Sequence, residues 1–340
     1  MPFQITIQSS GHTFTAADNE NILDAALDAG FNLPYGCRNG SCGSCKGEVV
    51  AGTVEYGDAQ VSALTVVEVA AGKALFCCAK ASSDLTIACR EIDAKAIAPR
   101  ILPCRVEKKV QLAHDVVALY LRLPANERLQ FMAGQYLEFL LKDGSRRAYS
   151  LANAPFDDNL LELHARLIPG GKFTEYVSNE MPKKAILRIE APLGSFYLRE
   201  DSERPIIFVA GGTGFAPIKG IIEHAFHHGS KRQMTLYWGA LSGRDLYMPE
   251  LPQQWAAAHS NFHFIPVLSD PMPQDDWAGR TGFVHQAVLD DKIDLRAVQV
   301  YCCGAPAMVE AAHQDFTAAG LPEAEFFSDA FTFAARMAAK

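Results

Sequence analysis

Phe3, Ile5 and Ile7 alternate with polar neighbours, which predicts a half-buried opening strand, and Gly11 can turn the chain into a second strand around Phe14. Asp18 or Asn19 is placed to cap a helix carrying Ile22, Leu23, Ala26 and Leu27 on one side, with Gly30 as its stop. A loop rich in Cys and Gly follows, then short strands to about Ile92. Residues 93–103 (DAKAIAPRILP) have no period and hold two prolines, so they read as a linker. From 104 to 199 the period is two: Val117, Leu119, Leu121 and Leu123 alternate, and 136–141 and 160–167 repeat the habit. Asp143-Gly144 suits a hairpin turn. So many strands in so short a segment predict a barrel. After Pro205 apolar runs at 206–210, 236–238, 264–268 and 298–302 are separated by helix-length segments. That alternation predicts a parallel sheet with helices on both faces.

A chain of 340 residues is long for one domain, in keeping with these three segments. An apolar fraction of 49% is ordinary for a globular protein. The formal net charge of −8, without any run of Lys and Arg, argues against a nucleic-acid partner. No stretch approaches the roughly 18 apolar residues of a membrane helix. The opening MPFQITIQSS is polar rather than a secretory leader, so a cytoplasmic location is expected. Nine cysteines, an odd number, are poor material for a disulfide framework in that setting.

Cys37, Cys42 and Cys45 give C-x4-C-x2-C, with Cys77 and Cys78 about thirty residues on. Four thiolates are what a [2Fe–2S] cluster needs, and this is the plant-type ferredoxin spacing. Gly36, Gly40, Gly43 and Gly47 let the backbone wrap closely and aim N–H groups at the sulfurs. A structural zinc site also takes four cysteines, but it usually pairs two C-x2-C units and only one is present. The residues alone leave the fourth ligand open between Cys77 and Cys78. The segment resembles plant-type ferredoxins, and that resemblance, through Leu75, Ser83 and Asp84, selects Cys77. The metal set it implies is Cys37, Cys42, Cys45 and Cys77, with Cys78, Cys89, Cys104 and Cys302 packed in the interior.

Arg147-Ala148-Tyr149-Ser150 ends a strand and resembles the R-x-Y-S/T motif of the ferredoxin–NADP reductase family, whose FAD domain is a six-stranded antiparallel barrel. The residue types fit the chemistry. Arg147 can clamp a pyrophosphate, Tyr149 offers a flat face to the isoalloxazine, and the Ser150 hydroxyl can bond flavin N5. Gly134-Gln135-Tyr136 matches the family's G-Q-Y, and the string around His164 and Arg166 supports the same reading. Gly170-Gly171-Lys172-Phe173-Thr174 opens a helix whose amides suit a phosphate, which assigns Gly171, Lys172 and Thr174 to the FAD pyrophosphate.

Gly211-Gly212-Thr213-Gly214-Phe215-Ala216-Pro217 follows a strand and opens a helix. Pro217 stands where a Rossmann fingerprint has its third glycine, so the string is not G-x-G-x-x-G. It resembles the G-G-T/I-G-x-A-P element of the same reductases, beside the nicotinamide cofactor's pyrophosphate. Cys303-Gly304-Ala305-Pro306 is similar to the family's C-G-x-P, which implies Cys303 near nicotinamide C4. Trp238, in Tyr237-Trp238-Gly239, falls where the family holds the ribose. Asp270, after the 264–268 strand, would repel a 2′-phosphate and accept bonds from a free ribose, so NADH is expected rather than NADPH, with Arg244 as the opposing residue. Phe331 is expected to cover the flavin, although this chain continues for TFAARMAAK beyond it.

The resemblance runs the length of the chain. It implies a β-grasp ferredoxin domain at 1–93, an FAD-binding barrel at 101–200 and a nicotinamide-binding α/β domain at 204–340. That order resembles the reductase components of multicomponent oxygenases and, more closely, CDP-6-deoxy-Δ3,4-glucoseen reductases. It implies an oxidoreductase with catalytic Ser150, Cys303 and Phe331 that passes electrons from NADH through FAD and the cluster to a protein acceptor, either a dehydrase or an oxygenase component. Plant-type clusters lie near about −400 mV, so a cluster fed by NADH is expected to sit higher. A redox-sensing binding module is the alternative from another class.

Overall fold

The computed structural model describes residues 2–92 and 97–331, in two units, Met1–Ala98 and Pro99–Lys340. In the first unit, β1 (Phe3–Ile7), β2 (Thr13–Ala16), β3 (Lys46–Ala51), β5 (Lys73–Leu75) and β7 (Leu85–Ala88) form one mixed sheet in the order β2-β1-β7-β3-β5. β1 and β7 are parallel. A two-stranded ribbon joins β4 (Val54–Glu55) and β6 (Lys80–Ala81). Ile5 and Ile7 are fully buried, as their alternation demands. Helix α1 (Ile22–Asp28) buries Ile22, Leu23, Ala25 and Ala26 against the sheet, and α2 (Val66–Ala70) starts on a Thr65–Glu68 capping box. This is the β-grasp arrangement.

The start of α1 differs from expectation. Its N-cap is Asn21, not Asp18 or Asn19. Asn19 sits at φ 66° in a turn that Glu20 closes by accepting from the Ala17 amide at 2.7 Å, so the chain is not yet aimed along the helix. Gly30 ends it as expected: at φ 85° it lets Phe31 N reach back to Ala26 O at 2.8 Å.

In the second unit β8 (Arg100–Ala113), β9 (Val116–Arg122), β10 (Tyr136–Leu140), β11 (Arg146–Ser150), β12 (Leu161–Arg166) and β13 (Ile186–Leu193) form an antiparallel sheet in the order β11-β10-β13-β8-β9-β12. A bridge between Leu151 and Leu163 closes it into a barrel. Val117, Leu119 and Leu121 point into the barrel core with Leu137, Phe139 and Ile189. β8 reaches back to Arg100, into the stretch read as linker. Pro103 is tolerated there because β8 pairs only with β13 at that level, its pairing with β9 beginning at Arg105. Residues 93–96 of that stretch lie outside the described residues. One short helix, α3 (Lys172–Glu175), continues as a π turn over Tyr176–Glu180.

The rest of the unit is a parallel sheet ordered β17-β16-β15-β14-β18-β19. Its strands are β14 (Ile206–Gly211), β15 (Met234–Ala240), β16 (Phe262–Leu268), β17 (Arg280–Thr281), β18 (Gln299–Gly304) and β19 (Phe326–Ala330). Helices α4 (Phe215–His227), α5 (Glu250–Ala258), α6 (Val284–Asp290) and α7 (Pro306–Ala318) alternate with them. Barrel residues Val116, Ala133 and Phe196 belong to the same apolar core as Phe208, Ile218, Ile221, Tyr301 and Phe327 of the sheet layer. The barrel and the parallel sheet therefore fold as one body. Among the described residues no helix is long and apolar enough to cross a membrane.

Leu119 is fully buried in the barrel. Leu119→Ala is expected to cost about 2–5 kcal/mol in urea unfolding followed by tryptophan fluorescence. That signal reports the second unit alone, because Trp238, Trp255 and Trp277 all lie in it. A loss below about 1 kcal/mol would mean Leu119 does not support the core.

Candidate active site and cysteine cradle

The loop between α1 and β3 gathers the cysteines. The Cys37 amide donates to Cys42 Sγ at 3.4 Å, the Ser41 hydroxyl donates to Cys37 Sγ at 3.5 Å, and Cys42 Sγ lies 3.4 Å from Ser44 Oγ. Cys45 and Cys77 are both buried, and each is 4% exposed. A hydrogen bond from the Cys42 thiol holds Cys37 down at about 5, and the same contact pushes Cys42 well above the usual thiol range. The Cys45 sulfur, first among several causes, pushes Cys77 up to about 12. Thiols that crowd one another as Cys37 and Cys42 do resist joint ionisation unless a multivalent cation lies among them. Glycine makes the cradle possible. A Cβ on Gly36 would stand 3.2 Å from Cys42 Sγ, and one on Gly40, at φ 75°, would stand 2.7 Å from Cys78 Sγ. Cys78 Sγ is 3.7 Å from Cys77 Sγ. Thiolate donors, amides aimed at sulfur and a glycine-lined wall fit a two-iron cluster.

In the second unit Arg147, Tyr149 and Ser150 lie on β11. The Arg147 guanidinium donates to the Arg146 carbonyl at 2.7 Å, and among the described residues no carboxylate pairs with it. It is therefore left for an anion. Tyr149 stands half-buried against Phe139 and Phe173, with ring centroids 5.7 Å and 5.4 Å away. Burial pushes its hydroxyl well up, so it is a neutral face at any ordinary pH. These residues fit a flavin and its pyrophosphate.

The segment at α3 differs from expectation. The Gly171 amide is taken by Ile168 O at 3.0 Å, and the Thr174 hydroxyl turns back to the carbonyls of Ile168 and Gly171, each at 3.0 Å. Lys172 is exposed and pairs with Asp143 at 3.1 Å. Gly171 and Thr174 thus shape the turn, and the opening amides of Lys172, Phe173 and Thr174 are left without a helical acceptor.

The strand β14 ends at Gly211, a 3-10 turn runs over Gly212–Gly214, and α4 begins at Phe215; Thr213 in the turn and Pro217 in the helix are both buried. The turn is pressed onto the end of β18. A Cβ on Gly214 would meet Cys303 O at 2.0 Å, and one on Gly304 would meet Gly211 N and Cα at 3.1 Å. Only glycine permits that contact. Arg166 projects from the end of β12 onto the same turn, its Nη2 2.9 Å from where a Gly212 Cβ would be, and pairs with Asp115 at 3.5 Å. The backbone of this turn fits a dinucleotide pyrophosphate.

Two expected cofactor contacts are engaged elsewhere. Trp238 is fully buried, stacks on Phe215 at 4.0 Å and donates from Nε1 to Gly212 O at 3.0 Å. It braces the turn and offers no surface to a ribose. His164 is buried with both ring nitrogens occupied, one by Glu162 Oε1 and one by Tyr247 OH, each at 2.9 Å. A buried polar group must find a partner, and here both partners lie in the wall between barrel and sheet. Asp270, by contrast, is exposed just past β16, its amide bonded to Leu241 O at 2.8 Å. Arg244 is exposed in the turn Gly243–Asp245. Phe331 sits beside Gly304, donating its amide to Gly304 O at 2.8 Å, and residues 332–340 lie outside the described residues.

Three side chains converge from separate elements. The Ser150 hydroxyl donates to Asp329 Oδ2 at 3.4 Å, and Asp329 lies in register with Cys303 on the adjacent strand. Burial drives the Cys303 thiol well above its usual range, and the Asp329 charge adds to this. Sequence reading missed Asp329. Its one signal was a carboxylate inside a last strand that opens on two phenylalanines, FFSDA.

The chain matches three family models in succession: a 2Fe-2S iron-sulfur cluster binding domain over residues 5–82, an oxidoreductase FAD-binding domain over 103–197 and an oxidoreductase NAD-binding domain over 208–314. It is 41% identical to the CDP-6-deoxy-L-threo-D-glycero-4-hexulose-3-dehydrase reductase of Yersinia pestis, over 97% of this chain and 99% of that one. It is 37% identical to the terephthalate 1,2-dioxygenase reductase component 2 of Comamonas sp., over 97% and 98%. Among solved structures, the cytochrome P450 reductase GcoB of Amycolatopsis superposes with a TM-score of 0.80 at 34% identity, over 97% of this chain and 99% of that one. The four-thiol cradle, the flavin strand and the glycine turn fall in the same order as those three domains, and the chain belongs to the family of NAD(P)H-dependent iron–sulfur flavoprotein reductases.

Proposed function

We propose that this chain takes hydride from NADH and delivers single electrons to a partner dehydrase acting on a CDP-linked deoxyhexulose. One observation carries the redox part: Ser150 from the barrel meets Asp329 beside Cys303 from the sheet, at the mouth of the nicotinamide turn. When bound, FAD accepts hydride at N5 and releases electrons one at a time to the two-iron cluster, which a nicotinamide alone cannot feed. The chain supplies placement. Arg147 and the opening amides of α3 would hold the flavin pyrophosphate, Tyr149 would face the ring, and the Ser150 hydroxyl, oriented by Asp329, would bond its N5 edge. The turn at Gly212–Gly214 would hold the nicotinamide's phosphates, and neutral, buried Cys303 would border the reacting carbon without competing as a thiolate. In the first unit Cys37, Cys42, Cys45 and Cys77 would ligate the irons. Asp270 favours NADH, since its carboxylate repels a 2′-phosphate.

The dehydrase partner is supported by similarity to the Yersinia reductase along nearly the full length of both chains. A second reading, a terminal oxygenase component as partner, is supported by the Comamonas reductase component. Mixing the reduced protein with purified dehydrase or with an oxygenase component distinguishes them: the true acceptor is reduced at the faster, saturable rate.

Two outcomes follow. Cys42→Ser should abolish reduction of the protein acceptor while NADH still bleaches the flavin at the unaltered rate in stopped-flow absorbance. Retained acceptor reduction would remove the cluster from the route. In steady-state assays kcat/KM should favour NADH, and Asp270→Arg should raise the NADPH value by about tenfold or more. A native preference for NADPH of that size would overturn the assignment.

A further inference from the structure

Between the barrel and the parallel sheet lies a buried polar knot whose charged members are not among the residues assigned above to either cofactor. Lys219, on α4, is 8% exposed at its side chain. Its ammonium donates to Glu162 Oε2 at 3.0 Å, Glu223 Oε2 at 3.0 Å and the carbonyl of Ala152 at 3.1 Å. Ala152 lies two residues beyond Ser150. The next residue of the helix, Gly220, packs so closely on the same strap that a Cβ there would stand 3.0 Å from Asn153 O and 3.4 Å from Leu151 O. Glu162 uses its other oxygen to bind His164 Nε2 at 2.9 Å and Tyr120 OH at 3.3 Å. Burial alone would raise Glu162, yet the His164 bond and the Lys219 charge hold it at about 2, so it stays ionised.

The knot has a second arm. His164 Nδ1 meets Tyr247 OH at 2.9 Å, the Tyr247 ring stands edge-on to Trp238 at 5.1 Å, and Trp238 holds the Gly212 carbonyl. One barrel strand, β12, is thereby tied to both sides of the nicotinamide turn: to Gly212 through Tyr247 and Trp238, and to the helix after the turn through Lys219. A buried ion pair stabilises little compared with well-packed apolar residues of equal volume. Surrounded by an apolar core that already joins the two layers, this one adds directed bonds that fix the slide of α4 along the strap after Ser150.

We infer that Lys219, Glu162, His164 and Tyr247 are positioning residues for hydride transfer, setting the distance between the flavin strand and the nicotinamide turn. The inference rests on the hydride-transfer reading above. Loosening the knot should slow the step made at short range while leaving NADH capture, which the turn itself performs, nearly intact. A displacement of about 1 Å costs on the order of 100-fold in such a step.

The test compares wild type, Lys219→Met and Tyr247→Phe, each checked for FAD content and thermal midpoint. Lys219→Met leaves two buried carboxylates without their cation and endangers folding. Tyr247→Phe removes one hydroxyl and keeps the ring, and so serves alone if the first variant fails. Stopped-flow flavin reduction over a range of NADH concentrations separates the limiting rate from the half-saturation point. The long-wavelength charge-transfer absorbance of flavin and nicotinamide, read without turnover, reports their stacking. The expected result is a limiting rate lowered about 10- to 100-fold in Lys219→Met and less in Tyr247→Phe. Half-saturation should be unchanged within about twofold, and the charge-transfer absorbance should weaken. A wild-type limiting rate in an FAD-replete variant, or a loss confined to NADH affinity, would overturn the positioning role. Failure of wild type itself to bleach with NADH would instead overturn the hydride-transfer reading.

Discussion

One apolar core runs without a break from the barrel into the parallel sheet. Val116, Ala133 and Phe196 on one side interlock with Ile218, Ile221, Tyr301 and Phe327 on the other. Burying these side chains together removes the freedom that two separately folded layers would have. The strand ends then have only one way to meet. Ser150 reaches Asp329 across 179 residues of sequence, and the glycine turn lies flat on the end of β18. Close backbone contact of Gly214 with Cys303 and of Gly304 with Gly211 follows from that packing.

Polar groups trapped at this seam explain which side chains serve ligands and which serve the frame. Burial obliges every polar atom to find a partner. The Trp238 indole therefore reaches Gly212, and His164 reaches Glu162 and Tyr247, because those partners are the ones available in the wall. Arg147 is different: on β11 its guanidinium bonds a neighbouring carbonyl, and no carboxylate among the described residues pairs with it. In the first unit the same logic acts through sulfur. Thiols crowded beside one another share protons poorly, and a cation among them removes the conflict.

Much of this was legible in the sequence. Period-two runs such as Val117 to Leu123 marked the barrel strands, and apolar runs spaced by helix-length segments marked the parallel sheet. The cysteine spacing and the strings around Arg147 and Gly211 fall within the three matched domains, and they were readable because each is local and depends on backbone shape. What escaped was long-range. Asp329 joins Ser150 only through strand register, Cys303 opposite Asp329, which no local pattern encodes. Trp238 and His164 were assigned to ligands from the family resemblance, whereas the fold turns them inward. At α1 the cap moved to Asn21 since Asn19 adopts a left-handed turn, a choice that Asp18, Asn19 and Asn21 compete for on nearly equal terms.

The account stands on electrons entering from nicotinamide and reaching the sulfur cradle through a flavin held by the second unit. Low-temperature electron paramagnetic resonance of the purified, iron- and FAD-replete protein, frozen after anaerobic addition of NADH, tests this most directly. The account predicts the signal of a reduced two-iron cluster, growing with the NADH added. A flavin that bleaches fully while the cluster stays silent, or a cluster that responds to dithionite and never to NADH, would contradict it.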